Sequence, residues 1–428
     1  MAPLHVEEHD IAVLDGAVEH STAPSGCTVL SDSMLGTHSV ALGCWVGVGS
    51  RDESESTAGS SHFLEHLLFK GTTRRTALEV NRAVDAVGGE FNAYTTREAT
   101  VFYLRVPKPH RQMAIDLLAE VVVTPKLSPE DLEIERNVIL EEFEAALDTP
   151  DDLVFMNLAE GLFPDHPVGR EVLGRIETIE GLTAEEISAF HSSWYRPNRF
   201  VIAAAGAVEH DWLVQEADKF GDGLAPGLSR EQPQNPDALC VTAARPIEQV
   251  HCAWGWRSPE SGHADRFAQS VLNHVLGGGP TSRLYTEIRE QRGLAYAVQT
   301  SHSSHSDCGS FALYLATAPR HLSTVRTVLE DVLGDLCASG VTEEELTVAK
   351  GYLAGSMLMG LEDSDARMSR LGAAFTGVGR VTPVGEVLTG LAEVTAADIQ
   401  RVATTLFTSR RVESLVGPAS AVAPFGSI

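Results

Sequence analysis

The chain repeats itself. The stretch Phe63-Leu64-Glu65-His66-Leu67-Leu68-Phe69-Lys70-Gly71 is echoed by Val271-Leu272-Asn273-His274-Val275-Leu276-Gly277-Gly278-Gly279. Each copy follows an apolar strand bearing Trp and Gly: Gly43 to Ser50 in the first half, His251 to Arg257 in the second. Each precedes a helix and then a strand-like run, Thr100 to Val106 or Ser310 to Thr317. Between the copies, residues 221–238 hold three glycines, three prolines and many polar residues, and read as a linker. A repeat of this length demands two like units, each with its own sheet and helices. The expected division is therefore 1–225 and 239–428, joined by 221–238, which suits 428 residues at 43% apolar composition.

The first copy carries chemistry that the second lacks. In His62-Phe63-Leu64-Glu65-His66, two histidines four apart lie on one face of a helix. Neutral imidazoles so placed can share a Zn²⁺. Glu65 falls on the same side, close enough to polarise a water beside the ion. The order H-x-x-E-H is the inverzincin signature, and it points to metal-assisted hydrolysis of peptide bonds. With 16 histidines and 59 acids, chance supplies roughly 0.08 such matches. Phe63, Leu64, Leu67, Leu68 and Phe69 surround the polar residues, so the helix should be buried. Buried His and Glu need a partner or a metal. In the second copy Ser270 and Asn273 replace the first His and the Glu, which leaves His274 a structural residue.

Two histidines leave a catalytic zinc one ligand short. Ser128 to Leu147 offers candidates. Ser128 suits an N-cap, Pro129 the first helical position, and Asp131 a variant capping box. Leu132, Ile134, Val138, Ile139, Phe143 and Ala146 make an apolar stripe. Glu135, Val138, Ile139 and Glu142 share a face, so two carboxylates sit on a partly apolar surface. Composition alone favours both glutamates as solvated members of an acidic helix.

These stretches, with Gly88-Gly89-Glu90-Phe91-Asn92-Ala93-Tyr94-Thr95 and Glu135-Arg136-Asn137-Val138-Ile139-Leu140-Glu141-Glu142, resemble the pitrilysin and mitochondrial processing peptidase family. The short single-chain bacterial branch is the nearest match, from about Gly43 to Pro418. The resemblance implies a third ligand 76 residues beyond the second histidine, which is Glu142, and a supporting glutamate seven residues earlier, Glu135. It implies an α+β fold of two similar domains, each a mostly antiparallel sheet backed by helices on one side. It further implies an Arg and a Tyr that bind the substrate carbonyl, here Arg289 and Tyr296. Residue types alone would make these a surface Arg and a sheet-packed Tyr, with Gly293 ending a helix before Tyr296 starts a strand. The family lays an extended peptide on the strand matching Phe91 to Thr95, which points to Asn92 and Ala93 as substrate contacts, with Phe69 and Tyr94 beside the cleaved bond. Ordinary core aromatics explain Phe69 and Tyr94 equally well.

In short family members the Arg/Tyr pair comes from a second subunit. This chain carries both half-sites, so the expectation is a homodimer with composite sites, one zinc per chain and peptide substrates. A non-catalytic structural subunit and an obligate heterodimer are the alternatives. Net charge −27 argues against nucleic acid or an anionic membrane surface as partner. Six scattered cysteines without a C-x-x-C pair read as free thiols. No 18-residue apolar span occurs. Residues 1–25 read as neither secretory signal nor transit peptide, so the expected location is cytoplasmic.

Overall fold

A computed structural model describes residues 11, 14–237 and 239–425. The chain ends and Ala238 lie outside the described residues, so the outer limits of both expected domains, the end of the linker and most of the acidic N-terminal stretch go untested there.

The first half opens with β1 (Val18–Thr22), β2 (Thr28–Ser33) and β3 (Ser39–Val46), then α1 (Ser60–Leu68) and α2 (Ala77–Asp85). The hairpin β4 (Glu90–Thr95) and β5 (Thr100–Pro107) follows. Five helices come next: α3 (Arg111–Val123), α4 (Pro129–Asp148), α5 (Pro150–Leu162), α6 (Ile176–Gly181) and α7 (Ala184–Trp194). β6 (Phe200–Gly206) and α8 (His210–Glu216) close the half. The second half is β7 (Leu239–Ala244), β8 (Val250–Ser258), α9 (Arg266–Gly277), a π-helical turn (Tyr285–Glu290), β9 (Ala295–Ser304) and β10 (Gly309–Thr317). It continues with α10 (Leu322–Ser339), α11 (Glu343–Gly360), α12 (Ser364–Val378), α13 (Val384–Glu393), α14 (Ala396–Phe407), β11 (Arg411–Gly417) and α15 (Ala419–Val422).

The repeat is visible in the sheet orders, β1-β2-β6-β3-β5-β4 and β7-β11-β8-β10-β9. Removing β1 leaves one topology twice. In each sheet a single pair is parallel, β2 with β6 or β7 with β11, and the others are antiparallel. The fold is thus α+β with two like domains. β4 and β9 are the matching edge strands, each with one side unpaired within its sheet.

One expectation is corrected. Helices do not cover only one side of each sheet. In β6 (Phe-Val-Ile-Ala-Ala-Ala-Gly) and β3 every residue beyond Ser39 is buried, so both faces need cover. The second face is supplied by the other half. α12 lays Met368 and Leu371 against Trp45, Val201, Ala203 and Ala205 of the first sheet. α5 lays Leu153, Val154, Leu158 and Leu162 against Ala253, Val412 and Val416 of the second. Each such side chain contributes about 1.5–3 kcal/mol by burial. The linker separates the sheets in sequence without separating their packing.

Residues 221–237 contain no helix or strand, yet they are tied down. Arg230 pairs with Asp52 (2.8 Å) and Glu98 (3.1 Å). Arg51 spans the halves, bonding Glu98 (2.7 Å) and Asp307 (2.8 Å). All six cysteines are free thiols. No helix among the described residues is long and apolar enough to cross a membrane.

The exchange of helices makes a specific prediction. A Cβ at Gly372 on α12 would lie 2.3 Å from the buried Trp45 ring, whereas one at Gly377 meets nothing within 4 Å. Gly372→Ala is expected to destabilise the chain by about 1–3 kcal/mol. Gly377→Ala should be neutral or gain up to about 1 kcal/mol. Urea midpoints of the two variants, measured together, check the contrast.

Candidate metal centre

The helix α1 is short and buried on nearly all sides: Ser60, Ser61, His62, Phe63, Leu64, Leu67 and Leu68 are all covered. Its first turn has no side-chain cap of its own, because the N-cap is Gly59 at φ +95°. No other residue fits there: a Cβ would stand 2.5 Å from Ile179 and 2.8 Å from the Leu173 carbonyl oxygen. The carboxylate of Glu53 takes the cap's place. It accepts from the Gly59 N–H (2.7 Å) and the Ser61 N–H (2.6 Å). Burial pushes the Glu53 carboxyl up to about 7, against those two bonds and Arg170, which pull it down.

The facing helix α4 begins as its sequence demands, with the Ser128 side chain accepting from Asp131 N–H and Pro129 in the first turn. Its buried stripe is Leu132, Glu135, Ile139 and Phe143. Ile134 and Val138, expected in that stripe, are instead exposed, 55% and 43%. They lie a step round the helix from the line through 132, 135, 139 and 143, which carries its fully buried residues.

His62, His66 and Glu142 converge. Their ligand atoms all lie within 4.8 Å of one another. His62 Nε2 and His66 Nε2 stand 3.7 and 3.6 Å from the same Glu142 oxygen. A tetrahedral zinc with ligands at roughly 2.0–2.2 Å needs donors about 3.4 Å apart, so these three groups fit it. His66 Nδ1 meets Glu135 Oε2 at 2.8 Å, which fixes the ring with Nε2 towards Glu142. Glu135 is itself buried, and its other oxygen is held by Lys70. Glu65 accepts a hydrogen bond from the Thr95 hydroxyl (2.5 Å) at the end of the edge strand β4.

Protonation follows from these surroundings. Burial, then the neighbouring His66, holds His62 down at about 4, so it is neutral near pH 7. Burial works against the His66 cation too, but the bonds to Glu142 and Glu135 outweigh it and the net shift is upward. Glu142 is lowered, first by its bond with His66. Glu65 is raised, first by burial, with Glu142 pushing the same way against Thr95 and His66. A carboxylate made more basic beside a metal group suits proton transfer.

The remaining predicted residues are placed as follows. Phe69 is half-buried and packs edge-on against Phe91 (4.8 Å) and near Phe102 (6.3 Å), among the core aromatics. Ala93 shares the α1 side of β4 with Thr95. Asn92 and Tyr94 alternate to the opposite face, where Tyr94 meets Tyr103 (6.1 Å). The strand's period of two thus puts Tyr94 on the face of β4 opposite Ala93 and Thr95. Arg289 stacks between Tyr285 (4.8 Å) and Tyr296 (4.4 Å) and donates to the Tyr296 carbonyl (3.1 Å). Gly293 at φ +60° ends the turn and Tyr296, 77% exposed, stands at the start of β9. No polar contact joins this pair to the metal group among the described residues. Glu53, Lys70 and Thr95 were not foreseen at the site. Lys70, one turn after His66, and Thr95, in phase with Ala93, were readable from periodicity. Glu53 was not, because its partners are backbone groups.

The second half contains no counterpart cluster among the described residues. His274 on α9 is buried and its ring stacks on Tyr352 of α11 at 4.2 Å.

Comparison with known proteins decides the family. Residues 28–175 match the family model for insulinase (peptidase family M16), and residues 181–353 that for the peptidase M16 inactive domain. An uncharacterized zinc protease of Mycobacterium tuberculosis is 40% identical over 409 residues, covering 94% of this chain and 93% of its own. The chain belongs to the M16 peptidase family. Another M16 relative, the uncharacterized zinc protease YmxG of Bacillus subtilis, is 32% identical over 405 residues, covering 94% and 98%. Among solved structures, a peptidase M16 inactive domain from Pseudomonas fluorescens superposes with TM-score 0.87 at 24% identity, covering 94% and 98%. A protease from Helicobacter pylori gives 0.87 at 22%, covering 94% and 99%. These two share the fold. The "inactive" label of the second family model falls on the half in which Ser270 and Asn273 stand in place of ligand and base.

The protonation pattern sets how this M16 chain should take up zinc. The apo His66 cation is favoured to a higher pH than usual, so protons compete with zinc below that raised value. Affinity should fall about tenfold per pH unit as pH drops through it, and more steeply only as His62 titrates near about 4. Zinc titrations between pH 5 and 8 read this directly. A flat profile would show that His66 does not bind the ion.

Proposed function

We propose that this chain is a zinc-dependent endopeptidase that hydrolyses short or unfolded peptides. The observation that carries the reading is the convergence of His62, His66 and Glu142 beside Glu65, the four residues that such chemistry requires. When bound, zinc supplies Lewis-acid polarisation of the scissile carbonyl and lowers the pKa of attacking water. Glu65 takes the proton from that water and returns it to the departing amine, so no proton is gained or lost overall. Thr95 holds Glu65, and Glu135 holds His66. A structural, non-catalytic subunit has less support, because the donor set and the base are complete.

The peptide is held as an added strand along β4. In support, β4 is the edge of its sheet, ends at Thr95 beside Glu65, and bears the Ala93 N–H, which donates to the Asn92 side-chain oxygen (2.8 Å). Backbone pairing of this kind tolerates many sequences. Arg289 and Tyr296 supply donors for the oxyanion, and they come from a second copy of the chain. In support, the pair is preassembled, with the Arg289 guanidinium of the π-helical turn over the exposed Tyr296 ring at the start of β9, and among the described residues neither makes a polar contact with its own metal group. The working form is then a homodimer with two composite sites and one zinc per chain.

Two measurements test this. A quenched peptide should be cleaved, with activity abolished by chelator and reduced about 100- to 10,000-fold in Glu65→Gln; an unchanged rate in that variant would remove Glu65 from its role. Mixing Glu65→Gln with Arg289→Ala chains should restore activity in heterodimers. No recovery despite confirmed subunit exchange would refute the composite site.

A further inference from the structure

The two histidines of the metal group are held by different means. His66 has Glu135 on its second ring nitrogen. His62 Nδ1 is buried and has no hydrogen-bond partner among the described residues. Metal-binding histidines nearly always use that second nitrogen to fix the ring. The aim of His62 must therefore rest on packing and on the path of its own backbone. His62 lies in the first turn of α1, where helix N–H groups lack intrahelical partners. Two of those groups, on Gly59 and Ser61, end on the two oxygens of Glu53. The Glu53 side chain is fully covered, and Arg170, 3.9 Å away, is anchored to the Ser50 and Glu53 carbonyls (2.8 and 3.0 Å). The start of the helix is thus clamped by one immobile carboxylate.

We propose that Glu53 is a positioning residue for the metal centre: by bridging the Gly59 and Ser61 N–H groups it fixes the first turn of α1 and so aims His62. The inference rests on the zinc-peptidase reading. A cap that served stability alone would alter the fraction folded and leave the zinc affinity of folded molecules unchanged. A positioning cap alters that affinity. Glu53→Gln keeps the shape but loses the charge and one acceptor, so it separates the two roles.

The test uses the full chain at pH 8, above the Glu53 titration. Zinc affinity is measured by competition with a chromophoric chelator, and the site's geometry is read from the absorption of bound cobalt. In Glu53→Gln the zinc Kd should rise 10- to 100-fold, the range for loss of a residue that orients a metal ligand, and the cobalt spectrum should change. With zinc saturating, kcat should fall while KM stays within about twofold, since the peptide docks on β4 and not on α1. Thr178→Ala is the control: it removes the bond to the Ala58 carbonyl (2.7 Å) just before the helix and leaves both Glu53 bonds in place. It should lower stability without changing zinc affinity. Wild-type affinity and spectrum in Glu53→Gln would overturn the proposal. If that variant does not fold, Glu53→Asp, one methylene too short to span both N–H groups, is read in the same titration; an undiminished affinity there overturns it equally. Failure of the unaltered chain to bind zinc would instead refute the underlying reading, and this inference with it.

Discussion

A buried helix carries two imidazoles and a carboxylate, and that combination is unfavourable without a partner for each. Polar groups withdrawn from water cost several kcal/mol unless they are bonded. Around α1 the cost is met group by group: Glu135 for His66, Thr95 for Glu65, Glu53 for the helix start. Among the described residues His62 Nδ1 is left without a partner, and its Nε2 points with that of His66 at Glu142. On the zinc-peptidase reading, a cation among the three completes the arrangement. The elements packed against α1 serve that arrangement, with α4 supplying two carboxylates and β4 the hydroxyl.

The centre is also tied to the joint between the halves. Arg51, Asp52 and Glu53 are consecutive, and each reaches a different body. Arg51 bridges Glu98 and Asp307, Asp52 holds Arg230 of the linker, and Glu53 holds α1. Buried pairs of this kind add little net stability but are costly to break singly. They keep two sheets, a linker and the metal helix in one frame. The exchanged helices α5 and α12 reinforce it, since neither sheet is fully covered by its own half.

Much of this was legible in the residues. The repeat announced two like units, the turn at Gly293 followed from a local pattern, and the edge position of β4 came from the family resemblance. His62, His66 and Glu65 were readable because a helix puts i and i+4 on one face. Glu142 came from family resemblance and not from spacing, since nothing local distinguishes it from Glu141 or Glu144. The apolar stripe of α4 was read too widely. Ile134 and Val138 are exposed because they lie round the helix from its buried line, and a hydrophobic side chain carries no mark of which neighbour it faces.

The sequence by itself marked the helix face that carries His62, Glu65 and His66, the doubled topology and the strands that flank each copy of the repeat. Periodicity is a local property, and these all follow from it. Tertiary structure alone decided that each sheet borrows a helix from the other half. It also decided that Tyr94 packs with Tyr103 on the face of β4 opposite Thr95, and that a glutamate in a loop holds the helix carrying the histidines. Those outcomes depend on which surfaces meet across long stretches of chain, and on bonds to backbone N–H groups, which every residue but proline possesses and which therefore leave no trace in the order of side chains.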